Sequence, residues 1–262
     1  MRTLRPFVLS ALLVCGNLGE VRAFEPVITD HSFNTWWFAN ARYNVTEAWN
    51  VTGLVFVRRA NGLADWQQYV IRPNIGFAIN RQLEVGIGYT HVRMFPYGDQ
   101  PVPMEFTENN IFQQVILRQK AGKVGLMHRF RLEQRFLDHV ERSPESGPYI
   151  DGTDYFNRFR FRIDGMIPVA FKNRLFVGLY NELFVHLQDV MLPDAFDQNR
   201  AYIGLGYQMN KKLRLELGVL HHYLRKRDGV HFESNPTMQM GVGFQFGPIK
   251  RKAAEFEPRR AN

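Results

Sequence analysis

The chain has 262 residues, 45% of them hydrophobic, with 33 basic against 25 acidic side chains and a formal charge of +8. The apolar share excludes a wholly disordered chain, and one cysteine excludes a disulfide framework or a Cys-rich metal site. Mean hydropathy is slightly negative, which argues against a polytopic helical membrane protein but not against a membrane β-barrel, whose strands alternate apolar and polar residues.

Residues 1–23 read as an export signal. Arg2 and Arg5 precede an apolar run over 7–18 that is too short to span a bilayer, and Ala23 closes a compact cleavage site. Cys15 lies inside that run. The leader removes Arg2, Arg5 and Arg22 with Glu20, while five more basic residues fall in a tail over 247–262. Much of the charge is therefore peripheral, and nucleic-acid binding loses its main support.

The body, 24–246, reads as strands nearly end to end. Period-two alternation runs through 35–45, 49–59, 66–79, 83–95, 109–120, 124–136, 154–167, 174–187, 198–209, 213–224 and 237–246. Residues 124–136 set Val124, Leu126, Phe130, Leu132 and Phe136 against Arg129, Arg131, Glu133 and Arg135. Residues 154–167 set Tyr155, Phe159, Phe161, Ile163 and Ile167 against Arg158, Arg160, Arg162 and Asp164. No stretch of the body holds a 3.6-residue apolar period.

Short turns near 46–48, 80–82, 121–123, 169–173 and 210–212 alternate with longer loops near 59–65, 96–108, 138–153, 188–197 and 226–236. Short turns on one rim and long loops on the other is the outer-membrane barrel pattern. A secreted β-sandwich would share the alternation, but strands of 10–14 residues are long for one. Trp36, Trp37, Tyr43, Trp49, Trp66 and Tyr155 lie near strand ends, as interfacial aromatic girdles do. The last strand closes on Phe246, as a strand read by outer-membrane assembly machinery would. Eleven segments are counted, whereas bacterial single-chain barrels have even numbers. Residues 24–33 supplying a twelfth strand is the preferred solution; leaving 34–45 out of the wall would give ten.

The string His128-Arg-Phe-Arg-Leu-Glu-Gln-Arg-Phe136 resembles a hallmark stretch of the bacterial family called domain of unknown function 2490. Tyr180-Asn-Glu-Leu-Phe184, Phe196-Asp-Gln-Asn-Arg200 and the run over 204–218 resemble it too. The resemblance covers about 36–246. It implies a signal-bearing outer-membrane barrel of unassigned activity, and it transfers no catalytic residue.

Following the alternation inward collects Arg42, Arg58, Arg72, Arg118, Arg129, Arg131, Arg135, Arg158, Arg160, Arg162, Arg200 and Arg214. The inward acids are fewer: Glu84, Glu133, Asp164, Glu182 and Glu216. Arginine stays charged and grips carboxylate or phosphate through two parallel donors. An unpaired arginine in a dry lumen is costly, so this excess points to water or anionic solutes inside. The expected solute-binding residues are Arg129, Arg131, Arg135, Arg158, Arg160, Arg162, Arg200 and Arg214 with Glu133 and Glu182. The opposing reading is a plug in which these arginines and acids pair and close the barrel.

An outer-membrane lipid hydrolase is a further alternative. Its best pair is Ser234 with His231, with His221 and His222 nearby. Histidines at a membrane interface are ordinarily only polar residues, so no catalytic residue is assigned. No His pair has metal spacing, and glycines at spacing two, such as Gly204 and Gly206, suit strand packing rather than a nucleotide turn. No cofactor or metal is expected.

The expectation is an all-β, transmembrane, antiparallel up-and-down β-barrel in the bacterial outer membrane. Its partners would be outer-membrane lipid, the assembly machinery and small anionic solutes. A closed barrel of this kind should migrate faster on a detergent gel unheated than boiled; identical mobility would count against it.

Overall fold

The computed structural model describes residues 28–99, 101–187, 195–226 and 229–248. The expected leader, 1–23, and the tail beyond 248 lie outside these residues, as does most of the loop expected near 188–197.

The alternation expresses itself as one closed sheet. Its strands are β1 (Ile28–Asp30), β2 (Asn34–Asn44), β3 (Trp49–Ala60), β4 (Asp65–Ala78), β5 (Leu83–Met94), β6 (Phe106–Ala121), β7 (Val124–Ser143), β8 (Gly147–Ala170), β9 (Leu175–His186), β10 (Phe196–Gln208), β11 (Leu213–Arg225) and β12 (His231–Phe246). Each strand from β2 to β12 pairs antiparallel with the next, and β12 returns to pair with β2. A sandwich would need two sheets packed face to face; here one sheet closes on itself.

The closure explains the odd strand count. In a meander every strand reverses direction, so with eleven staves the first and last run the same way. Their ladder must be parallel, and it is, from Asn34 opposite Thr237 to Tyr43 opposite Phe246. A twelfth strand is present where one was expected, but β1 lies in line with β2 rather than beside it. It pairs with β12 in the same parallel register, Ile28 opposite His231. The break over 31–33 falls opposite Pro236 and its neighbours. Proline has no N–H to give a ladder, and side chains take over there. Asn235 accepts from the Ser32 N–H at 2.8 Å, and His31 Nδ1 meets the Ser234 carbonyl at 3.0 Å.

The sheet is apolar outside and polar inside. Ile71, Ile87, Ile111, Phe130, Leu183, Ile203, Leu217 and Val219 are exposed on the outer face, whereas Arg58, Glu108, Arg131, Glu133, Arg160 and Glu182 are buried. Inward glycines make room for rings. A Cβ at Gly88 would strike the Phe112 ring, and one at Gly206 would strike Phe176. The rings therefore lie flat along the wall.

Two expected loops are partly strand. Residues 138–153 are the end of a long hairpin, with β7 and β8 paired out to Ser143 opposite Gly147. This hairpin projects beyond its neighbours, whose pairing stops at Glu108 opposite Leu137 and Arg158 opposite His186. Polar residues and a Pro–Gly cluster made it look like a loop, but ladder hydrogen bonds satisfy the backbone. Likewise β12 begins at His231, well before Thr237.

The parallel seam gives a direct check. The described strands contain no cysteine, so Ala39→Cys with Val242→Cys, which face each other across β2 and β12, should form a disulfide on mild oxidation. An antiparallel or open seam would leave both thiols free.

Candidate functional site: a charged interior

The interior is built from the inward faces of β6 to β10, where arginines from several strands share few carboxylates. Glu133 on β7 is fully buried. Its Oε2 accepts from Arg158 Nε at 2.9 Å and Nη2 at 2.7 Å, and its Oε1 accepts from Arg160 Nη1 at 2.5 Å. Arg131 Nη1 lies 3.7 Å away. Glu182 on β9 has the same role in the neighbouring layer. Its Oε1 accepts from Arg160 at 2.7 and 3.0 Å and from Arg129 Nη2 at 2.8 Å. Arg162 pairs with Asp164 and lies 3.9 Å from Glu182. Arg214 pairs with Glu216 at 2.7 Å.

Three acids outside the expected set complete this lattice. Arg135 makes a bidentate pair with Glu108, both bonds at 2.8 Å. Arg158 reaches Asp197 at 2.8 Å. Glu233 accepts from Tyr97 at 3.0 Å and pairs with Lys226. Glu108 and Glu233 continue the inward alternation of their strands but lie before the points where those strands were expected to start; Asp197 is out of phase with inward Arg200 and Tyr202 and faces inward through the bulge between Phe196 and Gln198. With them the inward acids rise from five to eight, and the arginine excess shrinks.

Aromatic rings carry the guanidiniums. Arg131 lies 4.0 Å above Phe112, Arg160 4.2 Å from Phe184 and Arg162 3.6 Å from Tyr180. Such stacking offsets some of the cost of burying a cation. Arg200, on β10, is different. Its Nη2 donates to neutral Gln198 at 2.6 Å, and it sits 5.0 Å from the Trp36 ring and 4.6 Å from Phe184.

A cavity of about 500 Å³ runs from the short-turn rim, at Thr46, Asn80 and Lys212, inward to Trp36, Arg160 and Glu182. Near that rim Glu84 grips Arg42 at 2.9 Å and Arg118 at 3.2 Å. Toward the long-loop rim the interior is filled. Tyr97, from the loop between β5 and β6, reaches Glu233, and burial, then the Glu233 carboxylate, push its phenol up. It thus stays a neutral donor.

The Ser/His group is split by the wall. Ser234 Oγ meets His221 Nε2 at 2.9 Å on the outer side. His222 points inward, 3.0 Å from Gln198. No carboxylate among the described residues hydrogen-bonds to His221, so the group that orients a catalytic histidine is missing from the pair.

These features define a class: a closed β-barrel meander with an apolar exterior and an interior of shared arginine–carboxylate pairs. The chain belongs to the family described as "Protein of unknown function (DUF2490)", which matches residues 33–252, as the motifs over 128–218 led us to expect. An uncharacterised protein of Methylorubrum extorquens is 27% identical over 195 residues, 71% of this chain and 77% of that protein. Among solved structures, the NanC porin aligns with a TM-score of 0.48 and 11% identity, over 82% of this chain and 99% of that one.

Removing a shared carboxylate leaves buried cations without a counter-charge. Glu133→Ala should therefore destabilise the folded protein by about 3–5 kcal/mol. Denaturant titration of the gel-mobility shift reads this; a midpoint equal to wild type would refute the shared-charge lattice.

Proposed function

We propose that the protein is a bacterial outer-membrane barrel whose interior takes up small anionic solutes from the short-turn side. The observation that carries this reading is the charge on the cavity wall, where eleven cationic side chains stand against five acidic ones. A concave, low-dielectric wall of one sign concentrates the opposite charge. Solute would meet Arg42, Arg118 and Arg214 first, then Arg129, Arg162 and Arg200 deeper in. Arg131, Arg135, Arg158 and Arg160, with Glu133, would form the closing layer rather than the first contact.

The exterior supports a membrane setting. Apolar side chains surround the wall, a belt that would be unfavourable in water. Several outward amides are matched in pairs across strands. Asn181 and Asn199 exchange two bonds at 3.1 Å, and Gln113 and Gln134 exchange two at 3.1 and 3.2 Å. Such pairing keeps polar groups satisfied where no water is at hand. By the usual orientation the short turns face the periplasm. Membrane lipid and the assembly machinery are then the standing partners, and we assign no catalytic step.

A closed structural barrel is the second reading, favoured by the fully buried Glu133 lattice between the cavity and the long-loop rim. The two readings differ in transport. In planar bilayers under a KCl gradient, the reversal potential should take the sign for chloride. Removing one shared acid together with one of its arginines, Glu133→Ala with Arg158→Ala, should raise the conductance. Cation selectivity, or no current from either protein, would contradict an anion path.

A further inference from the structure

Nine of the twelve inward arginines have a carboxylate within salt-bridge reach; Arg58, Arg72 and Arg200 have none among the described residues. Their hydrogen-bond acceptors are neutral. Arg58 Nη1 donates to Gln68 at 2.5 Å, Arg72 Nε to Thr90 at 2.9 Å and Arg200 Nη2 to Gln198 at 2.6 Å. All three line the inner end of the cavity. Arg58 is buried, and the like charges of Arg200 and Arg72 act on it.

Two further observations give the cluster a shape. Arg58 and Arg200 both stack on Trp36, at 3.9 and 5.0 Å from its ring centroid. A guanidinium lying on a ring keeps its donors in its own plane, pointing past the ring. The Nε–H groups of Arg58 and Arg200 are buried and have no acceptor. Glu182 and Glu133 offset part of the charge on Arg200 and Arg72 from beyond salt-bridge reach, but buried cations with orphaned donors and no direct counter-charge are expensive to keep. One oxyanion among them would accept those donors and cancel the repulsion.

We propose that Arg58, Arg72 and Arg200, with Trp36 as their platform, form an oxyanion-binding site at the inner end of the cavity. The ligand is a small solute bearing one carboxylate or phosphate group, the chemistry that forked donors recognise. This rests on the anion-uptake reading above and places its binding step at three named residues, two of them outside the set expected from sequence.

The test uses the full chain in detergent, titrated with inorganic phosphate, with gluconate as the carboxylate, and with glucose as the neutral control. Calorimetry should show binding of phosphate or gluconate and none of glucose; whichever binds identifies the group. Tryptophan emission should change on binding and stop changing in Trp36→Phe. Arg72→Gln with Arg200→Gln should weaken binding at least tenfold, while Arg93→Gln, an exposed arginine paired with Glu105, should leave it unchanged. Neither Arg72 nor Arg200 has a carboxylate within salt-bridge reach among the described residues, so gel-mobility shifts should show both proteins still folded. Binding undiminished in the folded double variant, or absent from wild type, would overturn the site. Anion-selective current with no saturable binding would overturn the site alone. Loss of both would remove the anion-uptake reading as well.

Discussion

The interior depends on carboxylates shared by more than one arginine. Glu133 serves Arg158 and Arg160, and Glu182 serves Arg160 and Arg129. Arg160 bridges the two acids, so β7, β8 and β9 are locked to one another through charge rather than apolar packing. Buried rings such as Trp36, Phe112, Phe176 and Phe184 fill the rest of the middle. Buried charge holds a fold together only where each cation finds a counter-charge.

Below that lattice lies a simpler hierarchy. Glycine on an inward face lets a neighbouring ring lie flat, and the ring then supports a guanidinium. Gly88 admits Phe112, which carries Arg131. The arginine is thereby held at a fixed height and angle for its acceptors. Backbone closure supplies the remaining constraint. Eleven staves force a parallel seam between β2 and β12, and β1 extends that seam past the proline break.

Much of this was legible in the sequence, because a period of two assigns every side chain to a face. The eleven alternating segments correspond to β2 through β12, and inward arginines such as Arg129, Arg131 and Arg160 meet as their spacing implies. Strand ends were harder to read. The polar sequence over 138–153 resembles a loop, yet it is ladder, since period two is visible only where one face is apolar. The same difficulty hid Glu108 and Glu233, which precede the expected starts of β6 and β12, while a bulge between Phe196 and Gln198 puts Asp197 out of phase with its strand. Which arginine takes which acid was not legible, although their pairing as a plug was one reading of the sequence. Nothing in the alternation says that Arg158 takes Glu133 while Arg200 finds only Gln198; that depends on strand register and on reach across the barrel.

The paired Arg135, Arg158 and Arg160 hold the lattice toward the long loops, while Arg42, Arg118 and Arg214 are paired at the short-turn rim. We propose that Arg58, Arg72 and Arg200, which no carboxylate pairs among the described residues, take their counter-charge from a bound solute. Diffraction from crystals of the purified protein soaked in bromide tests this most directly. Anomalous density is predicted inside the barrel, beside Arg58, Arg72 and Arg200. Bromide confined to the outer surface and rims, with an empty interior, would contradict it.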